Sequence, residues 1–506
     1  MNANLFDILH KGIPDLGALA IETAGGGRIL YGDLVDRSGR MANALAALGV
    51  APGDRVAAQV EKSPEAIVLY LATVRAGAVF LPLNTAYTPA EMEYFIADAQ
   101  PAVLVCDPAR VDALADAAGR AGTRIVTLDA GGQGSLADAA AAAPADFAIV
   151  PREAGDLAAL LYTSGTTGRS KGAMLTHGNL VSNAAALRAA WHYTAKDVLI
   201  HALPIFHTHG LFVACNVTLF SGAAMILLPR FDPDRILALM DRATVLMGVP
   251  TFYVRLLQDD RLDRGRAAPM RLFISGSAPL LADTHRAWQD RTGHAILERY
   301  GMTETNMNAS NPYDGDRVAG TVGLPLPGIE IAVTDPDTGR ELAKGQIGMI
   351  EVRGPNVFKG YWRMPDRTAA ELRANGFFVT GDLGRFDDRG YLQIVGRAKD
   401  LVITGGYNVY PKEIEDAIDA LPGVAESAVI GLPHPDLGEA VTAVVVAQAP
   451  GAVTESAVLE ALGGRLARFK QPRRVLPVDD LPRNAMGKVQ KTLLRDRFAG
   501  IYVNST

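Results

Sequence analysis

The sequence predicts an α/β protein. A large N-terminal domain of doubly wound, mostly parallel sheets with a β-barrel-like subdomain is expected, followed by a small mobile α+β C-terminal domain. Three observations carry this. At 506 residues the chain is too long for one core, and about three domain-sized units are expected. Short apolar runs alternate with segments of helical period over roughly the first 320 residues. Beyond them, short strands punctuated by Gly and Pro take over, and a second α+β pattern ends the chain.

Taken in order, Leu34, Met41, Leu45 and Leu48 mark one face of a helix. Residues 56–60 read as a strand, 65–75 as a helix with Gly77 as its C-cap, and 78–81 as the next strand. A further strand is expected at 102–106, and the Ala-rich stretch 136–145 reads as a surface helix and linker. After Asp156 the alternation resumes, with strands at 223–228, 245–247 and 272–274, as for parallel sheets covered on both faces. Strands at 329–333, 348–352 and 391–394 suggest an antiparallel or barrel-like unit. The run Gly396-Arg397-Ala398-Lys399-Asp400 marks a boundary, giving domains 1–396 and 397–506. Past it, Pro411 opens a helix bearing Ile414, Ile418 and Leu421, then strands at 427–430 and 441–447, a helix at 457–469 and a basic tail.

Composition narrows the function. A chain 49% hydrophobic and 21% charged is ordinary for a soluble protein, and a net charge of −6 leaves no polybasic footprint for nucleic acid. Two cysteines, Cys106 and Cys215, argue against a disulfide framework or a Cys-based zinc site and fit a reducing cytoplasm. The N-terminus lacks the basic-then-apolar pattern of a signal peptide. Residues 211–228 carry no charge, but Asn216, Thr218, Ser221 and Gly222 interrupt them, so a buried helix and strand are expected rather than membrane insertion.

The most informative stretch is Tyr162-Thr163-Ser164-Gly165-Thr166-Thr167-Gly168-Arg169-Ser170-Lys171-Gly172. Its glycines free backbone N–H groups to face an anion, its hydroxyls donate, and Arg169 and Lys171 offset charge. The spacing is not that of a P-loop, since Gly172 follows Lys171 where Ser or Thr would stand. A mobile clamp on the outer phosphates of ATP fits better than a P-loop NTPase.

Five further segments join this loop: 204–210, 300–305, 380–384, 396–415 and 482–491. Together, in this order over more than 300 residues, they resemble the adenylate-forming superfamily of acyl- and aryl-CoA synthetases, peptide-synthetase adenylation domains and luciferases. The resemblance implies ATP, Mg²⁺ and CoA as cofactor and co-substrates. It places Thr163, Ser164, Gly165, Thr166, Thr167, Gly168 and Lys171 on the ATP phosphates. Glu304 and Thr163 are the implied Mg²⁺ ligands, Tyr300 the aromatic that stacks on adenine, and Gly276, Ser277 and Ala278 the backbone lining that ring. Glu298, Gly301, Met302 and Thr303 flank the nucleotide, Asp382 accepts from the ribose hydroxyls, and Arg397 reaches ribose and phosphate. Lys488 bridges the carboxylate and the α-phosphate during adenylation. Lys399 occupies the hinge, about which the C-terminal domain rotates between the half-reactions. Gly405, Gly406 and Tyr407 line the thiol path, and Arg468 and Lys470 are expected near CoA from charge alone. The tail motif also resembles sites where a lysine acetyltransferase neutralises the catalytic lysine, here Lys488.

The acid is read from Glu298-Arg299-Tyr300. An arginine at an acyl pocket is costly to desolvate unless it meets an anion, and a guanidinium–carboxylate pair offsets that cost. A short diacid is therefore expected: malonate, with methylmalonate as a close analogue. The segment Pro204-Ile205-Phe206-His207-Thr208-His209-Gly210 and the Glu298-Arg299 pair are similar to malonyl-CoA synthetases. His207 would line the pocket near the reacting carboxylate, with Ser277 beside it, while Thr208 and Met307 limit space at the α-carbon. The other reading of Arg299 is an ion pair with Glu298. Rival functions are another short-chain acyl-CoA synthetase, an ADP-releasing kinase or ATPase, and a non-catalytic nucleotide-binding regulator.

Overall fold

The computed structural model describes residues 2–163, 170–405, 407–463, 465–484 and 487–502. Two large sheets form its bulk. The first orders its strands Arg124–Thr127, Val103–Cys106, Arg55–Gln59, Val79–Pro82, Leu157–Thr163 and Lys171–Thr176, parallel except for the last pair. In the second, Leu297–Met302, Leu272–Ser275, Val245–Gly248, Val198–His201, Ala224–Leu227 and Leu19–Thr23 run parallel, with antiparallel strands at both edges. Strands buried on both faces need no alternation, so 103–106 and 272–275 are buried throughout.

Local chemistry sets the helices between them. Ser63 accepts from the Ala66 amide and Pro64 opens the first turn of Pro64–Arg75. At its far end Arg75 donates to the carbonyls of Val35 and Phe147. The Ala-rich stretch is the helix Ser135–Ala142, and it is not a free surface element. Leu136 and Ala140 are buried against Tyr31–Ala47, and beside them a Cβ on Gly39 would fall 1.8 Å from the Ala145 carbonyl oxygen. Small residues let those backbones close up.

The uncharged stretch divides into a π-helix His209–Cys215, a helix Asn216–Phe220 and a strand Ala224–Leu227. Among the described residues no helix is long and apolar enough to cross a membrane.

The barrel-like unit is an open antiparallel sheet of Glu330–Thr334, Gly348–Arg353, Phe378–Phe386 and Leu392–Arg397. Thr380-Gly381-Asp382 lies inside a nine-residue strand. The turn-like character read from its sequence survives as a kink, with Gly381 at φ +73 and a shifted register beside it.

C-terminal to it, the hairpin Val424–His434/Gly438–Ala447 carries Val402–Thr404, Tyr407–Val409 and Arg474–Val478. Its core is separate. Ile414 and Ile418 of Pro411–Asp419 meet Val429 and Val445 on one face, and Leu494 of Lys491–Phe498 meets Ile430 and Val444 on the other. The helix expected at 457–469 is Glu455–Gly463, and Phe469 stands beyond it, stacked at 4.7 Å on Tyr407.

Candidate active site

Val198–His201, Val245–Gly248 and Leu272–Ser275 are parallel neighbours, so their carboxyl ends open on one edge, the usual place for a ligand in such sheets. Arg299, in the next strand, points into the space behind them and is 3% exposed. A Cβ on Gly276 would lie 2.4 Å from the Arg299 Cζ, so the glycine is the notch through which the guanidinium passes. Its Nε and Nη2 have no hydrogen-bond partner among the described residues, and burial pushes its pKa down to about 9. The expected alternative, an ion pair with Glu298, does not form. One Glu298 carboxylate oxygen accepts from the Leu280 amide at 3.1 Å, and burial lifts the group to about 8. Glu298, expected at the nucleotide, anchors the loop that follows Gly276.

Around Arg299 stand His207, His209 and Tyr253, which share its electrostatic field. His207 is neutral at ordinary pH, because burial and then Arg299 bring it down to about 4. Its Nδ1 accepts from the His209 amide at 3.4 Å. His209 Nδ1 lies 3.2 Å from the Ser277 hydroxyl, and Ser277 itself sits at φ +72. Among the described residues His209 Nε2 and Thr208 Oγ1 are buried without partners, while Met307's side chain is packed in the core and its Cε would touch a Cβ on Gly301. Several polar atoms thus converge with no protein group to satisfy them, the mark of a ligand-facing wall.

The loop 204–210 is held from behind. Lys62 Nζ lies 2.9 Å from His201 Nδ1, and His201 Nε2 lies 2.9 Å from the Gly210 carbonyl. A Cβ on Gly210 would fall 2.0 Å from the Pro204 carbonyl oxygen, so this bend requires glycine. Neither Lys62 nor His201 belongs to a recognisable motif. Only the fold brings them together.

The nucleotide side lies at the end of the same strand. Tyr300 donates to Asp382 at 2.6 Å, and Arg397 pairs with the other Asp382 oxygen at 2.9 Å. Asp382 in turn raises the Arg397 pKa. Lys488 sits within the field of Arg397, Asp382, Lys399 and Asp400, and burial followed by those cations lowers it to about 8. The turn carrying it reaches the large domain, since a Cβ on Gly487 would lie 3.4 Å from Thr251 Oγ1. Lys488, 106 residues beyond Asp382 in the numbering, is thus brought to the same site.

Glu304 is buried at the hairpin between Leu297–Met302 and Asn306–Ser310, 3.4 Å from Thr163 Oγ1 and 3.1 Å from the Tyr361 hydroxyl. Burial raises its pKa. A carboxylate and a hydroxyl are hard oxygen donors that suit Mg²⁺, which commonly takes one or two protein carboxylates and completes its shell from phosphates and water. Among the described residues no cluster of three or more His, Cys, Asp or Glu could hold a metal ion. Lys171 lies over the Tyr361 ring at 4.2 Å and 3.4 Å from Glu371. Tyr361 and Glu371 were not legible, being ordinary residues 57 and 67 positions past Glu304.

Ser164, Gly165, Thr166, Thr167, Gly168, Arg169 and Gly406 lie outside the described residues. Gly301 cannot bear a side chain, as its Cβ would fall 2.0 Å from the Asn306 carbonyl oxygen, while Met302, Thr303 and Ala278 are half-buried. The residues expected at CoA are not gathered with Arg299 and Asp382. Gly405 donates its amide to Leu437, Tyr407 is 57% exposed and stacks on Phe469, and Arg468 is exposed. Lys470, expected free for a phosphate, is paired with Glu413 at 2.7 Å.

A model of the AMP-binding enzyme family matches residues 12–362, and one of the AMP-binding enzyme C-terminal domain matches 413–488. ATP-bound MatB from Rhodopseudomonas palustris is 65% identical, covers 99% of this chain and 100% of its own, and superposes with a TM-score of 0.98. The apo form of that protein, equally identical, gives 0.87. The two structures of that protein therefore differ in conformation, and this chain resembles the ATP-bound one. A feruloyl-CoA synthase of Amycolatopsis sp is 37% identical over 94% of this chain and 95% of its own length. A malonate–CoA ligase of Arabidopsis thaliana is 36% identical over 88% of this chain and 78% of its own.

Proposed function

The chain belongs to the AMP-binding enzyme family, and from that premise we propose that it is a malonate–CoA ligase. ATP and malonate give malonyl-adenylate and pyrophosphate, and CoA then gives malonyl-CoA and AMP. Methylmalonate is a close alternative substrate. The observation that carries this reading is the buried, unpartnered Arg299 guanidinium. A monocarboxylate, aryl or alkyl, would leave that cation unpaired, whereas the distal carboxylate of a short diacid pairs with it and satisfies both orphaned N–H groups.

In the first half-reaction a malonate oxygen attacks the α-phosphorus of ATP, and the bond to the β-phosphate oxygen breaks as pyrophosphate leaves. Arg299 fixes the far carboxylate, while neutral His207 lines the wall beside the reacting one without adding charge. Thr208 and Met307 bound the α-carbon. Lys488, as ammonium, lies between carboxylate and α-phosphate and stabilises the charge that grows as they meet. Tyr300, Asp382 and Arg397 hold the nucleoside, with Asp382 exchanging its Tyr300 contact for a ribose hydroxyl. Glu304 and Thr163 would hold Mg²⁺, which would supply charge neutralisation at the outer phosphates.

In the second half-reaction the CoA thiolate attacks the acyl carbon and AMP leaves. We infer that residues 397–506 move as a unit about Lys399, withdrawing Lys488 and bringing Gly405, Gly406 and Tyr407 to the thiol path. The two separate cores of the C-terminal part support such movement. Acetylation of Lys488 by a lysine acetyltransferase would remove the ammonium and stop adenylation. A cytoplasmic location fits two buried free thiols.

The test is product analysis over short mono- and dicarboxylic acids with CoA. AMP and pyrophosphate should appear with malonate and methylmalonate. ADP as the product would assign a kinase, and equal turnover of propionate or ferulate would remove the diacid reading.

A further inference from the structure

At the phosphate end of the site Lys171 meets a side-chain set, Glu371, Tyr361 and Arg367, to which the steps above give no role. Glu371, in the helix Pro365–Glu371, receives three donors: Tyr361 at 2.6 Å, Arg367 at 2.5 Å and Lys171 at 3.4 Å. Lys171 and Arg367 share one carboxylate oxygen, and the Tyr361 hydroxyl takes the other. That same hydroxyl lies 3.1 Å from Glu304. Lys171 therefore stands between an internal anion and the place beside Thr163 and Glu304 where outer phosphates would bind.

We propose that Glu371 is a positioning residue that competes with pyrophosphate for Lys171 and thereby promotes release of that product. The inference rests on the adenylating reading above and deepens it. Triphosphate, with its higher charge and its metal, draws Lys171 away from Glu371. Once the α–β bond has broken, pyrophosphate is no longer tethered to the nucleoside, and Glu371 takes the ammonium back. Arg367 makes the exchange nearly balanced. It keeps Glu371 partly neutralised whenever Lys171 is away, so neither state strands an unpaired, half-buried carboxylate. Tyr361 stays in place throughout, steering Glu371 while touching Glu304.

The arrangement makes two substitutions act in opposite senses. Glu371→Gln keeps the shape and a hydrogen-bond acceptor but removes the competing charge, so magnesium pyrophosphate should bind roughly tenfold more tightly. Arg367→Gln leaves Glu371 less neutralised, so it should grip Lys171 harder and weaken pyrophosphate several-fold. AMP, which has no outer phosphates, should bind both variants as it binds the parent enzyme.

Equilibrium binding of magnesium pyrophosphate and of AMP to the full-length protein, by displacement of a fluorescent nucleotide or by calorimetry, reads this directly. Product inhibition by pyrophosphate in steady-state turnover should move in parallel. Opposite shifts for the two variants, with AMP unchanged, support the proposal. Shifts of the same sign, unchanged pyrophosphate affinity, or equal changes in AMP binding overturn it. A parent enzyme that binds neither ligand would instead overturn the adenylating function itself.

Discussion

Replacing Gly276 by alanine tests the acid site through a single added methyl group. The new Cβ would lie 2.4 Å from Arg299 Cζ, 2.6 Å from Nη1 and 2.7 Å from Nε, about 1 Å inside normal contact. The glycine has no backbone need of its own, since its φ lies outside the left-handed region, so the effect should come from the contact alone. Overpacking of this kind costs about 1–3 kcal/mol, and a guanidinium moved by about 1 Å no longer meets the distal carboxylate squarely. We expect kcat/KM for malonate to fall about 100-fold while the KM for ATP changes little. Steady-state pyrophosphate release measures both. The decisive control is stability to denaturant in Arg299→Ala, where the space is already empty and adding Gly276→Ala should do almost nothing further. If the alanine costs as much in that background as in the parent, Gly276 serves the nucleotide loop and the notch is not its purpose.

Other expectations concern the tail lysine and the buried cation. Lys488→Ala should abolish ATP–pyrophosphate exchange yet spare thioester formation from supplied malonyl-adenylate, and equal loss of both would contradict the alternating-domain account. With Lys488 lowered to about 8, its active ammonium form dominates below that pH, so kcat/KM for exchange should fall as pH rises through about 8. Thioester formation, which needs a thiolate, should rise over the same interval, and parallel profiles would exclude this assignment. Arg299→Met should eliminate malonate use but stabilise the fold by about 1–3 kcal/mol, because an unpaired buried cation is replaced by an apolar chain. Denaturant melts showing a comparable loss of stability would mean that Arg299 has a partner in the protein.

Much of this was legible from residue order because local chemistry decided it. Ser63-Pro64 starts a helix by capping, and the unbroken apolar runs at 103–106 and 272–275 form strands inside parallel sheets. What escaped depended on partners distant in sequence. The strand Leu297–Met302 was not expected, because Glu298 and Arg299 break its apolar run, although both had been read as site residues. The Ala-rich segment read as a surface helix and linker, and the helix is there, but it is fixed by close approach to Tyr31–Ala47 rather than left at the surface. At the site, Glu304, Asp382 and Lys488 lay in distinctive runs, but Lys62, His201, Tyr361 and Glu371 carry no local signature. Charge alone likewise could not show that Lys470 is paired with Glu413.

The π-helix His209–Cys215 has a consequence for how such pockets diversify. Its turns are wider than α-helical ones by about one residue, so the backbone holds slack directly behind His207 and Thr208. Removing a single residue there would let the segment rewind as an ordinary α-helix, drawing in the wide turn with little change in the angle at which the preceding loop leaves it. A one-codon deletion would then take up that slack directly behind the cavity floor. Libraries that vary length in this window, rather than composition, would explore acids that point mutants of this enzyme cannot reach.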